Sequence, residues 1–142
     1  MSSETVVITG GFGNVGRRLT LQLFNHGYRV RVIDLCLYGK AGYDAIKNTP
    51  LHQDTIKHLE FICDDIRNPD VIRSALKGVD TVIHLAAISN DPTGEIDEVL
   101  TRQVNFDAIG VLLGIAKESG VKRFINASSS SVFGIKNDPD VT

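Results

Sequence analysis

The sequence holds little cysteine, almost no charge imbalance and no long unbroken apolar run. Cys36 and Cys63 are the only cysteines among its 142 residues. They have neither CxxC nor metal-ligand spacing, so no metal site is expected and both thiols are expected to be free, half-buried and structural. The formal net charge is −2, and no basic block argues for a nucleic acid or an anionic membrane surface as partner. The apolar stretches fall short of a membrane-spanning helix, so no membrane is expected. The N-terminus lacks a basic region and its apolar run is soon broken by glycine, which excludes a signal peptide and points to the cytoplasm. No repeat, low-complexity segment or internal domain boundary interrupts the chain. With 42% apolar and 23% charged residues, residues 1–142 have the composition of one globular domain with a core.

What the sequence does have is a dense glycine turn. Val6 to Gly16 reads VVITGGFGNVG, an apolar strand running through glycines into a helix. Gly11, Gly13 and Gly16 satisfy G-x-G-x-x-G, and Thr9, Gly10, Gly13 and Gly16 satisfy T-G-x-x-G-x-x-G. Glycine lets the backbone approach a pyrophosphate without an intervening Cβ and lets the helix lie close on the strand. The first-turn N–H groups of that helix then face the phosphates. An acid, Asp34, ends the next strand roughly 20 residues on, as a dinucleotide fingerprint requires.

Strand and helix alternate through the rest. Val15, Leu19 and Leu23 mark an amphipathic helix capped by Gly27. Tyr28 to Asp34 is a strand; a loop with a short helix near Tyr43 to Lys47 follows. Leu59 to Ile62 is a third strand, and Pro69 to Lys77 a helix capped by Asn68 and stopped by Gly78. Val79 to Leu85 is a fourth strand, Ile96 to Glu118 a long helix, and Arg123 to Ala127 a fifth strand running into the serines Ser128 to Ser131. Helical crossovers imply an α/β, doubly wound parallel sheet with helices on both faces; for the Rossmann type the expected order is 3-2-1-4-5.

Ligands of such sheets lie beyond the carboxyl ends of the strands. Asp34 there can accept from both ribose hydroxyls of an adenosine, and would repel a 2′-phosphate, which favours NAD over NADP; the plain alternative is a polar strand end. Asp64-Asp65 can accept an adenine amino group or merely cap a helix. His84 reads as a hydrogen-bonded core histidine. The serine run can bind a substrate alcohol, or form a polar turn.

These motifs together resemble the extended short-chain dehydrogenase/reductase superfamily, in particular its NAD-dependent nucleotide-sugar epimerase/dehydratase family. TGGFGNVG at Thr9 to Gly16, Asp34, DDIRN at Asp64 to Asn68, HLAA at His84 to Ala87, QVN at Gln103 to Asn105 and SSSSVFG ending at Gly134 occur in family order. The resemblance implies that Gly10, Gly13, Asn14, Val15 and Gly16 hold the pyrophosphate, Asp34 with Leu35 beside it the adenosine ribose, and Asp65 with Ile66 the adenine. It further implies that Leu85, Ala86 and Ala87 line the nicotinamide side, that Asn105 supports that end, and that Ser129 is the active-site serine. Phe133 stands where the family usually has a tyrosine that is not the catalytic one. The family's catalytic Tyr-x-x-x-Lys pair is expected beyond Thr142, so these residues alone are expected to lack turnover, as the N-terminal half of an enzyme or a truncated relative. Tyr43 to Lys47 matches that spacing but falls on the adenosine side. The implied function is transient oxidation of a sugar hydroxyl of a nucleotide sugar; the rival is a non-catalytic dinucleotide-binding or redox-sensing module. Homodimers are expected, through the apolar long helix and the edge at strand five.

Overall fold

The strand β1 (Thr5–Thr9) places Val7 toward one side of the sheet and Val6 with Ile8 toward the other, all buried. A strand that is apolar on both faces needs a layer of helices on each side, and the sequence supplies them. The computed structural model describes residues 4–37, 39, 41–49, 58–89 and 97–129. Within them α1 (Asn14–Asn25), β2 (Arg29–Asp34), α2 (Ala41–Lys47), β3 (Leu59–Cys63), α3 (Pro69–Ala75) and β4 (Thr81–His84) follow in turn. Next come α4 (Glu98–Arg102), a π-helical turn (Gln103–Asp107), α5 (Ala108–Glu118) and β5 (Arg123–Asn126).

All strand pairs are parallel, as the crossovers imply, and the sheet order is β3-β2-β1-β4-β5, the one expected of the Rossmann type. The register aligns Thr9 with Ile33 and His84, Asp34 with Cys63, and His84 with Asn126, so the carboxyl ends of all five strands lie at one edge. On one face Ile72, Ala75 and Leu76 of the α3 region pack with Leu112, Ile115 and Ala116 of α5 against Val7, Ile33 and Val82. On the other, Phe24 and Ile46 cover Val6, Ile8, Val30 and Val32. Removing a fully buried side chain of this kind costs about 2–5 kcal/mol.

Local signals set the helix ends. Asn68 accepts from the Asp70 N–H and Pro69 opens α3, while Gly27 and Gly78 take positive φ after α1 and α3. Arg31 reaches across from β2 and donates to the carbonyls of Ala75 and Lys77, covering the open end of α3. Against the apolar runs, β2 and β5 are each one residue shorter and β4 three shorter, whereas β3 runs one residue further, to Cys63, where it still pairs with Asp34.

Three expectations change. Cys36 and Cys63 are not free: they pair as a disulfide, Cα to Cα 5.8 Å and 27 apart in sequence, with Cys36 two residues past Asp34, the register partner of Cys63. The long helix, foreseen from Ile96, is described from Glu98, where the Asp97 carboxylate accepts from the Leu100 N–H; residue 96 lies outside the described residues. The π turn lets Glu98–Glu118 run on without a break, so this 21-residue helix is, contrary to expectation, long and apolar enough to cross a membrane by length and composition alone. In the fold its buried side is core, carrying Ala108, Leu112, Ile115 and Ala116. Ser130, Ser131, Phe133 and Gly134 lie outside the described residues.

Candidate functional site

Beyond the carboxyl end of β1 the glycines divide their tasks by what surrounds them. Gly10 has φ +69°, and a Cβ there would stand 2.8 Å from the Cα and N of Ala86, so the turn and the segment after β4 close directly on each other. A Cβ on Gly16 would meet the Gly10 carbonyl oxygen at 2.5 Å; this glycine lets α1 lie against the turn. Gly13 differs: among the described residues a Cβ there would meet only the Gly10 oxygen, at 3.4 Å. Gly13 is also the N-cap of α1, with no side-chain cap and no acid in the first turn. The first-turn N–H groups, at Asn14, Val15 and Gly16, have no acceptor within the helix, and the helix dipole adds to their preference for an anion. Asn14 and Val15 are exposed, and the Asn14 Oδ1 accepts from Arg17 Nη2 at 2.9 Å.

Asp34 closes one side of this turn, at the end of β2. Its Oδ2 accepts from the Phe12 N–H and its Oδ1 from the Cys36 N–H, both at 2.9 Å. The carboxylate is thus fixed across the mouth of the glycine turn with Leu35 exposed beside it. Phe12 had no place in the sequence reading; its contribution is a backbone N–H, which no side-chain pattern reveals. After β3, Asp65 is engaged by its own neighbour: Arg67 donates through Nε at 3.1 and 3.0 Å and through Nη2 at 2.6 Å. This guanidinium holds the Asp65 carboxyl below the usual carboxylate range despite partial burial. Ile66 is buried in the core beside it.

On the other side of β1, a buried pair crosses from β1 to β4. Thr9 Oγ1 lies 2.6 Å from His84 Nδ1 and accepts from the Ala86 N–H at 3.3 Å. The neutral imidazole meets the Thr9 hydroxyl as donor or as acceptor according to its tautomer, since a hydroxyl that accepts one N–H keeps a second lone pair and its own proton. Burial lowers the His84 pKa, in keeping with this neutral form and with a core histidine. Leu85 donates its N–H to the Thr9 carbonyl, and Ala86 and Ala87 follow toward the surface. Asn105, aimed by the π turn, accepts from the Ile88 N–H and donates to the Ile88 carbonyl, each at 2.8 Å. Such π turns recur where a helix must redirect a side chain at a functional site.

Ser129 lies exposed three residues beyond β5, on the β4 side of the sheet. The Tyr43 ring stacks on Phe61 at 4.9 Å and meets Phe12 edge-on at 6.3 Å, with Lys47 over it at 5.9 Å. The Tyr43–Lys47 pair therefore belongs to the packing of α2 at the β2–β3 end and is not brought to Ser129.

A parallel sheet of this order, with a glycine turn at a helix N-terminus and an acid ending β2, defines a Rossmann-type dinucleotide-binding domain. The profile of the NAD dependent epimerase/dehydratase family matches residues 6–142, and the chain belongs to that family. It is 32% identical over 138 residues to a UDP-glucuronic acid decarboxylase 1 of Danio rerio, spanning 97% of this chain and 29% of that protein. It is 35% identical over 131 residues to a 3 beta-hydroxysteroid dehydrogenase/Delta 5-->4-isomerase of Mycobacterium tuberculosis, spanning 89% and 32%. Among solved structures, a UDP-N-acetylglucosamine 4-epimerase from Methanobrevibacter ruminantium superposes with TM-score 0.82 at 30% identity, over 100% of this chain and 43% of that one. The dTDP-glucose 4,6-dehydratase DesIV of Streptomyces venezuelae, solved with NAD bound, gives TM-score 0.83 at 26% identity, over 96% and 43%. The chain thus spans about a third of the length of these curated relatives and about two-fifths of these solved chains.

Proposed function

We propose that this chain is the NAD(H)-holding part of a cytoplasmic nucleotide-sugar epimerase or dehydratase that works by transient oxidation of a sugar hydroxyl. The observation that carries the reading is Asp34, held by one backbone N–H on each oxygen with its remaining lone pairs free for the two ribose hydroxyls. Gly10, Gly13, Asn14, Val15 and Gly16 take the pyrophosphate, Leu35 flanks the ribose, and Asp65 with Ile66 takes the adenine. Leu85, Ala86 and Ala87 form the wall of the nicotinamide half, braced by Asn105. The space at Gly13 and the unopposed first turn of α1 fit a pyrophosphate, and the β4 segment is close enough to confine the other half. The bound nicotinamide supplies the hydride acceptor and donor.

Ser129 orients the sugar hydroxyl by hydrogen bonding. No tyrosine follows Tyr43 in the sequence, so no phenol in residues 1–142 takes the hydroxyl proton beside Ser129. These 142 residues by themselves are therefore expected to bind cofactor without turning over a nucleotide sugar. Val99, Phe106 and Leu113, spaced seven apart and exposed on the long helix, suit a second copy of the chain as partner.

Titration calorimetry with NAD and NADP tests the cofactor reading. NAD is expected to bind more tightly, and Asp34→Ala to lose most of the preference. Equal affinity for NADP in the unaltered protein overturns it.

A further inference from the structure

We propose that Cys36 and Cys63 are a reversible thiol–disulfide switch that sets cofactor affinity from the adenosine side; this rests on the NAD reading above. The pair sits where it can act. In the β2–β3 register Cys63 is the partner of Asp34, and Cys36 follows Asp34 by two residues. Cys63 directly precedes Asp64, Asp65 and Ile66. The crosslink therefore ties the ribose-side segment to the adenine-side segment. Their Cα atoms, 5.8 Å apart, are within disulfide reach.

The link to binding is the Cys36 backbone. Among the described residues Cys36 is the one non-glycine with positive φ, +56°. A cysteine avoids that conformation unless something holds it there. In that conformation its N–H reaches Asp34 Oδ1 at 2.9 Å. When the disulfide opens, Cys36 is released to relax to negative φ. Its N–H then leaves the carboxylate and Asp34 keeps one clamp, from Phe12. The oxidised form is the preorganised, tighter-binding one. A cytoplasmic disulfide is commonly transient and regulatory, and an exposed one is open to exchange.

The chemistry balances with a low-molecular-weight disulfide as oxidant. The exposed Cys63, as thiolate, attacks one sulfur of the small disulfide, forming a mixed disulfide and expelling one small thiolate. The half-buried Cys36 thiolate then attacks the Cys63 sulfur and expels the second. The two protein thiol protons end on the two small thiols; the protein pair is oxidised and the small disulfide reduced. Linkage makes the coupling reciprocal, so bound NAD must protect the disulfide from reduction by the factor by which the disulfide tightens NAD binding.

The test uses the purified protein, oxidised with glutathione disulfide and desalted, or reduced with a phosphine. Thiol titration is expected to fall from two per chain to none on oxidation. Calorimetry is expected to give an NAD Kd about five-fold or more weaker for the reduced protein. Cys36→Ser/Cys63→Ser, and Cys63→Ser alone at its exposed position, should bind like the reduced form whether or not phosphine is present. Equal Kd in both redox forms, two thiols surviving oxidation, or a phosphine effect persisting in the serine variants overturns the switch and leaves the cofactor reading standing. Absence of NAD binding in every form overturns both.

Discussion

Asn105 grips Ile88 by both its backbone groups, receiving the N–H on Oδ1 and giving Nδ2–H to the carbonyl, each at 2.8 Å. One side chain on the π turn thus stands in for a neighbouring strand and holds the segment that leaves β4. Asn105→Ala should cost about 1–3 kcal/mol, because it strands two polar backbone groups. NAD should bind more weakly in parallel. Asn105→Asp keeps the acceptor but sets a carboxylate against the Ile88 carbonyl, and should be no better than alanine. Thermal unfolding with calorimetry on the same samples checks both, and unchanged NAD affinity in Asn105→Ala would show that this end does not support the cofactor.

Gly13 separates binding from folding. Its φ of −66° and ψ of 174° suit any residue, and among the described residues a Cβ there meets nothing but the Gly10 oxygen. Gly13→Val should leave the unfolding midpoint within about 0.5 kcal/mol of the parent while abolishing NAD binding. Gly16→Val, which drives a side chain into Gly10 and Gly11, should unfold the domain instead. NAD binding by a folded Gly13→Val protein would move the pyrophosphate elsewhere.

His84 makes stability depend on pH. Its folded pKa lies below the ordinary value of 6.5 because burial disfavours the cation. In the unfolded chain the imidazole takes up a proton as pH falls through about 6.5, while the folded one resists, so the folded state loses stability below that pH and stops losing it once its own, lower pKa is passed. Above about pH 7 the group contributes no slope. Denaturant melts between pH 8 and 5 should show this loss, and His84→Gln, with no titrating group, should flatten it. An equal slope in the variant would assign the loss to another group.

The long helix predicts self-association. About a fifth (22%) of its most apolar window is buried, and Val99, Phe106, Val111 and Leu113 are exposed. At the end of the described sheet, β5 adds Ile125, 45% exposed, without a charge at its centre. Light scattering behind size exclusion at micromolar concentration should give a mass above that of one chain. Phe106→Glu with Leu113→Asp should lower it if the helix is the interface. A monomer with slowly exchanging amides at Phe124 and Ile125 would count against both surfaces.

By itself the sequence determined what depends on neighbours along the chain. Glycine spacing marks the turn, the alternation of apolar runs gives the element order, Asn68 with Pro69 starts α3, and Gly27 and Gly78 stop helices. The crossovers imply a parallel sheet, and the order β3-β2-β1-β4-β5 is that of the Rossmann type to which the glycine turn points. Tertiary structure decided what depends on register between distant strands. The Cys36–Cys63 pairing, the Thr9–His84 bond 75 residues apart, and the hold of Arg31 on the end of α3 exist only once strands are aligned to the residue. The π turn was equally invisible, since one extra residue per turn leaves no periodicity over so short a run. Phe12 and Cys36 bind Asp34 through backbone N–H groups, which every non-proline residue carries, and only the folded path of the chain says which two will point at a carboxylate.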